Sequence, residues 1–171
     1  MGEGRLENPE GGGVMTVIHE PATVEREALL REVRFLKMRM ETDTLALHRR
    51  LIRLQCAGAK QSEMAWAMLT TQPSVSSMLK TAKNTPDAVA GFSAATPFEA
   101  CELYVAGGLS RDQLIEELAT WPYPQQDELD ADDFNAPQPG TFEDVELAAM
   151  RGLIDSDLYE AVFERITADQ A

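Results

Sequence analysis

Cysteine and histidine are scarce, two of each in 171 residues. Cys56 and Cys101 lie far apart, with no further Cys or His at metal-ligand spacing, so neither a zinc site nor a redox pair is indicated. Two buried free thiols in a reducing compartment are expected instead. His19 and His48 have no Ser, Cys or carboxylate at a catalytic spacing, and no glycine-rich phosphate loop follows a strand. No apolar run approaches the roughly 20 residues that span a bilayer. The stretch Met1–Gly13 is acidic and glycine-rich rather than basic and then apolar, so nothing directs the chain out of the cytoplasm. The carboxylates after residue 126 lack the frame of a calcium loop and read as a solvated acidic surface. No catalytic residue, metal or cofactor is expected, and the chain does not read as an enzyme.

Aromatic residues make up only 6% of the chain, whereas apolar residues recur at spacings of three and four. An all-α protein is expected. The formal charge of −14 argues against a polyanionic partner, but its distribution does not. Residues 26–83 hold 11 Lys/Arg against 5 Asp/Glu, and residues 91–171 hold 3 against 18. A basic region is joined to an acidic one, which suggests a nucleic-acid face and a separate acidic surface.

Residues 1–21, rich in glycine, are expected to be a flexible tail, followed by a basic helical region over 22–84. Thr23 is placed to cap an amphipathic helix bearing Leu29, Val33, Leu36 and Met40 on one stripe, with Pro21 just outside. The stripe resumes at Leu47, Leu51 and Leu54. Either one helix runs through, or Thr42/Asp43 caps a second. The first stripe has few local partners, so Leu29, Val33, Leu36 and Met40 are candidates for a two-chain coiled coil, against packing back on their own domain. A linker is expected over 85–95, a helical hairpin over 96–124, an acidic linker over 125–140 and a second hairpin over 141–168. At an offset of 44, Phe98, Glu99, Glu102, Leu103, Gly108, Leu109, Leu114 and Glu116 reappear as Phe142, Glu143, Glu146, Leu147, Gly152, Leu153, Leu158 and Glu160, which suggests two copies of one acidic αα-hairpin packed as a four-helix unit.

Residues 61–80 read as two helices with a tight corner. Met64, Ala65 and Met68 face inward from the first, Val75 and Met78 from the second. Thr71 or Gln72 caps the second helix, and Pro73 sits where a missing N–H costs little. A preceding helix, about 44–57, supplies Leu47, Leu51 and Leu54 to close a three-helix core.

Carried by Gln61, Ala65, Met68, Pro73, Ser74, Val75, Ser76 and Met78, the pattern resembles the helix-turn-helix of the Cro and phage-repressor superfamily, the xenobiotic-response-element type of bacterial regulator, over about residues 45–83. Leu69 stands where that family usually has a glycine, which implies a wider corner or a strained leucine. The resemblance implies a second helix in the major groove of double-stranded DNA, with base contacts from Gln72, Ser74, Ser76 and Ser77. Phosphate contacts fall to Lys60, Thr71, Lys80 and Lys83, together with Arg49, Arg50 and Arg53. The layout looks like a dimeric repressor or a DNA-binding antitoxin that regulates its own operon from the nucleoid. The acidic half then binds a protein partner or folds back on the basic region. The alternative is an interaction adaptor or antitoxin that acts mainly through its acidic helices.

Overall fold

The computed structural model describes residues 21–124 and 139–169. The expected tail and acidic linker lie outside them, apart from Pro21 and residues 139–140. Among the described residues there are seven helices and no strand, so the fold is all-α: α1 (Pro21–Cys56), α2 (Gln61–Ala67), α3 (Gln72–Ala82), α4 (Pro97–Val105), α5 (Arg111–Ala119), α6 (Glu143–Met150) and α7 (Ser156–Asp169). None is long and apolar enough to cross a membrane.

The 36-residue α1 is one unbroken helix about 54 Å long. It is already under way at Pro21, so Thr23 lies in its first turn rather than capping it. Nor does Thr42 start a second helix. Its hydroxyl donates back to the carbonyls of Met38 and Arg39, at 3.0 and 3.1 Å, which satisfies the side chain within the helix. The ion pairs Lys37–Glu41 and Arg39–Asp43 span single turns of the same region. The helix ends where Gly58 takes φ +83° and Ala59 N–H reaches back to Leu54 O at 3.0 Å.

Two cores are built against this one helix. The first joins Leu51 of α1 to Met64 and Ala65 of α2 and to Val75 and Leu79 of α3, with Ile52, Met68 and Met78 around them. Leu47 and Leu54, expected in this core, stay exposed instead. One helical stripe cannot face both the α2–α3 pair and solvent, and Leu51 with Ile52 takes the inward side. The second core gathers Cys101, Leu114, Leu118, Val145, Leu158 and Val162 from α4 to α7, and Met38 of α1 packs against it.

The four acidic helices pair as α4 with α5, α4 with α6 and α5 with α7. Both hairpins turn through the same hydrogen-bonded closure. Gly108 N–H bonds Leu103 O and Gly107 N–H bonds Tyr104 O; Leu153 N–H bonds Ala148 O and Gly152 N–H bonds Ala149 O. Gly107 and Gly152 take the positive φ, and Ser110 and Asp155 cap the helices that follow. All these equivalences fall at an offset of 45, one more than the offset of the eight identities. The turns and caps therefore repeat one position out of step with the residue identities, while Leu114 and Leu158, identical at 44, are both buried in the same core.

Residues 85–95, expected to be a linker, are strapped down. Thr85 bonds His48 at 3.1 Å, Pro86 O accepts from Arg49 Nε–H at 2.8 Å, and Asp87 lies 3.9 Å from Arg53. Ala94 is buried, and Phe92 packs on Trp121 with ring centroids 4.7 Å apart. Tyr123 donates to Leu118 O and meets Phe142 edge-on, so the Trp-Pro-Tyr-Pro segment plugs the end of the acidic unit.

Candidate nucleic-acid interface

The corner between α2 and α3 is short because the chain reverses within three residues. Thr70 N–H bonds Ala65 O at 2.9 Å and Leu69 N–H bonds Trp66 O at 3.2 Å, a closure that forces the intervening residue into the left-handed region. Leu69 accepts it, with φ +51° and 95% exposure. The corner is thus tight and strained rather than wide. Glu63 steadies the start of α2 by accepting from Lys60 N–H at 2.6 Å.

Thr71 is the N-cap of α3. Its hydroxyl accepts from Ser74 N–H at 3.3 Å and lies 2.8 Å from the Ser74 hydroxyl, while Pro73 occupies the first turn. Burial of Val75, Leu79 and Ala82 then fixes the rotation of the helix. Gln72, Pro73, Ser77, Lys80 and Thr81 are exposed on its outer side, and Ser74 and Ser76 are half-buried at its edges. Of the four residues expected to touch bases, Gln72 and Ser77 stand clear. Ser74 is partly engaged in the cap.

Thr81, one turn beyond Ser77, and Asn84, just past the helix, are exposed along the same line. Sequence reasoning passed over both, although their spacing of four and seven from Ser77 was the available signal. Met78, expected inward, is only half-buried, and Leu79 fills the place deeper in the core.

Among the cations, Lys60, Arg50, Lys80 and Lys83 are exposed, as is Arg53 beside Asp87. Arg49 is a correction. Expected at phosphate, it is turned into the protein, where its guanidinium meets the Glu99 carboxylate at 2.7 and 2.9 Å. The hydrogen bonds it donates to Glu99 hold its pKa above the usual arginine value against the opposing effect of burial. A group so engaged is lost to a polyanion.

The thiols also differ from expectation. Cys56 is exposed at the end of α1, and only Cys101 is buried. Burial, with Asp144 and Glu102 nearby, pushes the Cys101 thiol up to about 12, which leaves it protonated and unreactive at neutral pH. Glu102, half-buried between α1 and α4, is pushed up to about 7 by burial first and by Glu41 and Glu99 next, with Lys37 and Arg151 opposing.

Comparison with protein families, curated proteins and solved structures gives no match.

Proposed function

We propose that the chain is a sequence-specific, non-enzymatic DNA-binding regulator, a repressor or an antitoxin-like regulator of its own operon, which binds double-stranded DNA as a homodimer at the nucleoid. One observation carries the reading. A capped α3, held in rotation by Val75 and Leu79, turns Ser77, Lys80 and Thr81 outward on one rigid face, with Gln72 exposed at its N-terminus. Amide and hydroxyl groups near the N-terminus of such a helix are the groups that pair with base edges, and Lys80 and Lys83 follow where phosphates flank the groove. The resemblance of residues 45–83 to the Cro and phage-repressor helix-turn-helix supports the same assignment. So does the positive charge of this region within an acidic chain.

The test is selection of duplexes from a randomised pool by the full chain, followed by anisotropy titrations at two salt concentrations. Enrichment of an inverted repeat, with affinity falling steeply as salt rises, is the expected result. A pool that stays random after repeated rounds overturns the reading. Gln72→Ala/Ser77→Ala in the same assay is expected to abolish the sequence preference.

A second reading, an adaptor acting through the acidic helices, is favoured by Met150 and Phe163, both exposed there. It predicts that the pool stays random.

A further inference from the structure

We infer that two copies of this chain pair through α1 in antiparallel orientation, about a two-fold axis lying between Met40 and Asp43. The inference deepens the dimeric regulator reading and rests on it.

The first observation is an apolar seam longer than the sequence suggested. Leu29, Val33, Leu36, Met40, Leu47 and Leu54 are all 38–63% exposed. They fall on the two apolar positions of a seven-residue repeat held through nearly four heptads. Leu47 and Leu54, released from the core to which they were expected to belong, complete the seam. In its second half the other sides of α1 are already in use, whereas Val24 and Leu30, off the seam in the first half, stay exposed. Met38 and Arg49 face the acidic unit, and Leu51 faces the α2–α3 core. A shallow groove lined by Leu36, Arg39, Met40, Asp43, Thr44 and Leu47 lies at the middle of the seam.

Charge complementarity identifies the occupant and its direction. Asp43 and Arg50 fill the two remaining places on the seam. In a parallel, in-register pair, each residue faces its own copy, so Asp43 meets Asp43 and Arg50 meets Arg50. Like charges opposed within a seam are repulsive. In the antiparallel pair Leu29 faces Leu54, Leu36 faces Leu47, Val33 faces Arg50 and Met40 faces Asp43. Arg39 of each copy then lies within one residue of the other copy's Asp43. Two oppositely charged pairs flank the axis, and Arg50 approaches the second copy's Glu32. Arg39 and Asp43 sit 3.7 Å apart on α1 and are both well exposed, so the groups are already in place at the groove.

The orientation also sets the spacing of the DNA-reading helices. At 1.5 Å per residue the two Leu51 side chains come to lie about 28 Å apart along the axis, with each α2–α3 pair beyond them. That matches half-sites separated by one helical turn of DNA, about 34 Å. A parallel pair instead places both α2–α3 units at the same end of the seam, with helix axes about 10 Å apart.

The experiment uses the full chain with Cys56→Ser, carrying either Leu36→Cys or Leu47→Cys and made in two lengths by a tag. The two variants are mixed and treated with a short bismaleimide. Light scattering gives the mass, circular dichroism checks the fold, and Leu29→Cys with Leu54→Cys serves as a second pair. The expected result is a dimer mass with cross-linking between Leu36→Cys and Leu47→Cys chains and none within either variant alone. Cross-linking within each variant shows a parallel pair and overturns the inference. A monomer mass at tens of micromolar overturns it too. Duplex selection on the same samples separates the two readings. A monomer or parallel dimer that still enriches one sequence leaves the regulator standing, and an antiparallel dimer that enriches none removes the regulator alone.

Discussion

Arg49 and Glu99 face each other through two parallel hydrogen bonds, of 2.7 and 2.9 Å, with the side chains only 11% and 9% exposed. Glu99 also accepts from Ala95 N–H at 3.0 Å, so the pair ties α1 to α4 and to the segment leading into it. Removing one member strands the other charge. Glu99→Ala is expected to lower stability by about 3 kcal/mol, and Arg49→Met/Glu99→Leu to restore part of it, because an apolar pair of similar volume leaves no charge unpaired although Ala95 N–H and Pro86 O lose their side-chain partners. Urea denaturation of the single and double variants measures both effects.

On the proposed reading Lys80 and Lys83 meet phosphate and Gln72 and Ser77 meet bases, and the two roles separate in a salt titration. Lys80→Ala and Lys83→Ala are each expected to reduce the slope of log affinity against log salt by about 1, equally on all sequences. Gln72→Ala is expected to cost about 1–3 kcal/mol on the selected sequence, with little effect on random duplex. An unchanged slope for both lysine variants removes α3 from the interface.

Leu69 holds a left-handed conformation with almost no burial to offset it. Leu69→Gly relieves the steric cost and returns part of it through the greater freedom of glycine when unfolded, for a net gain of about 0.5–1 kcal/mol. Leu69→Val adds a branched Cβ to the same φ and is expected to shift the thermal midpoint the other way.

Glu102 gives a pH signature. Its folded pKa of about 7 lies above the usual glutamate value, so the folded state holds the proton more tightly than the unfolded chain. The stabilisation from this group is complete below the unfolded pKa and is lost as pH rises through about 7. Glu102→Gln is therefore expected to match the parent near pH 4.5 and to exceed it by about 1 kcal/mol at pH 8, a figure discounted for the half-exposed carboxylate. Chemical denaturation at the two pH values checks the sign.

The helices and the outward face of α3 were legible because they depend on local signals. The threonine cap at Thr71, Pro73 in the first turn, the glycines after α4 and α6 and the inward Val75 are all read within one or two turns, whereas Leu79 was passed over for Met78. Tertiary choice was not legible. Nothing local distinguishes Leu51, which is buried, from Leu47 and Leu54, which are not; the α2–α3 pair selects one side of α1. Arg49 resembled Arg50 and Arg53 until the fold brought Glu99 beside it from fifty positions away. The hairpin repeat showed in residue identity at one offset and in hydrogen bonding at the next, because a turn is specified by backbone geometry rather than by matching letters.

Since α1 carries Met38 against one core and Leu51 against the other, the stretch between them has a fixed length in residues. Deleting one residue there turns the following helix by about 100° and draws it back 1.5 Å, which aims Leu51 away from Val75 while Met38 stays in place. Deleting seven nearly restores the angle but moves the α2–α3 pair about 10 Å along the axis, against the acidic helices. Length variation is therefore expected to be tolerated beyond the two cores and to be lethal to folding between them.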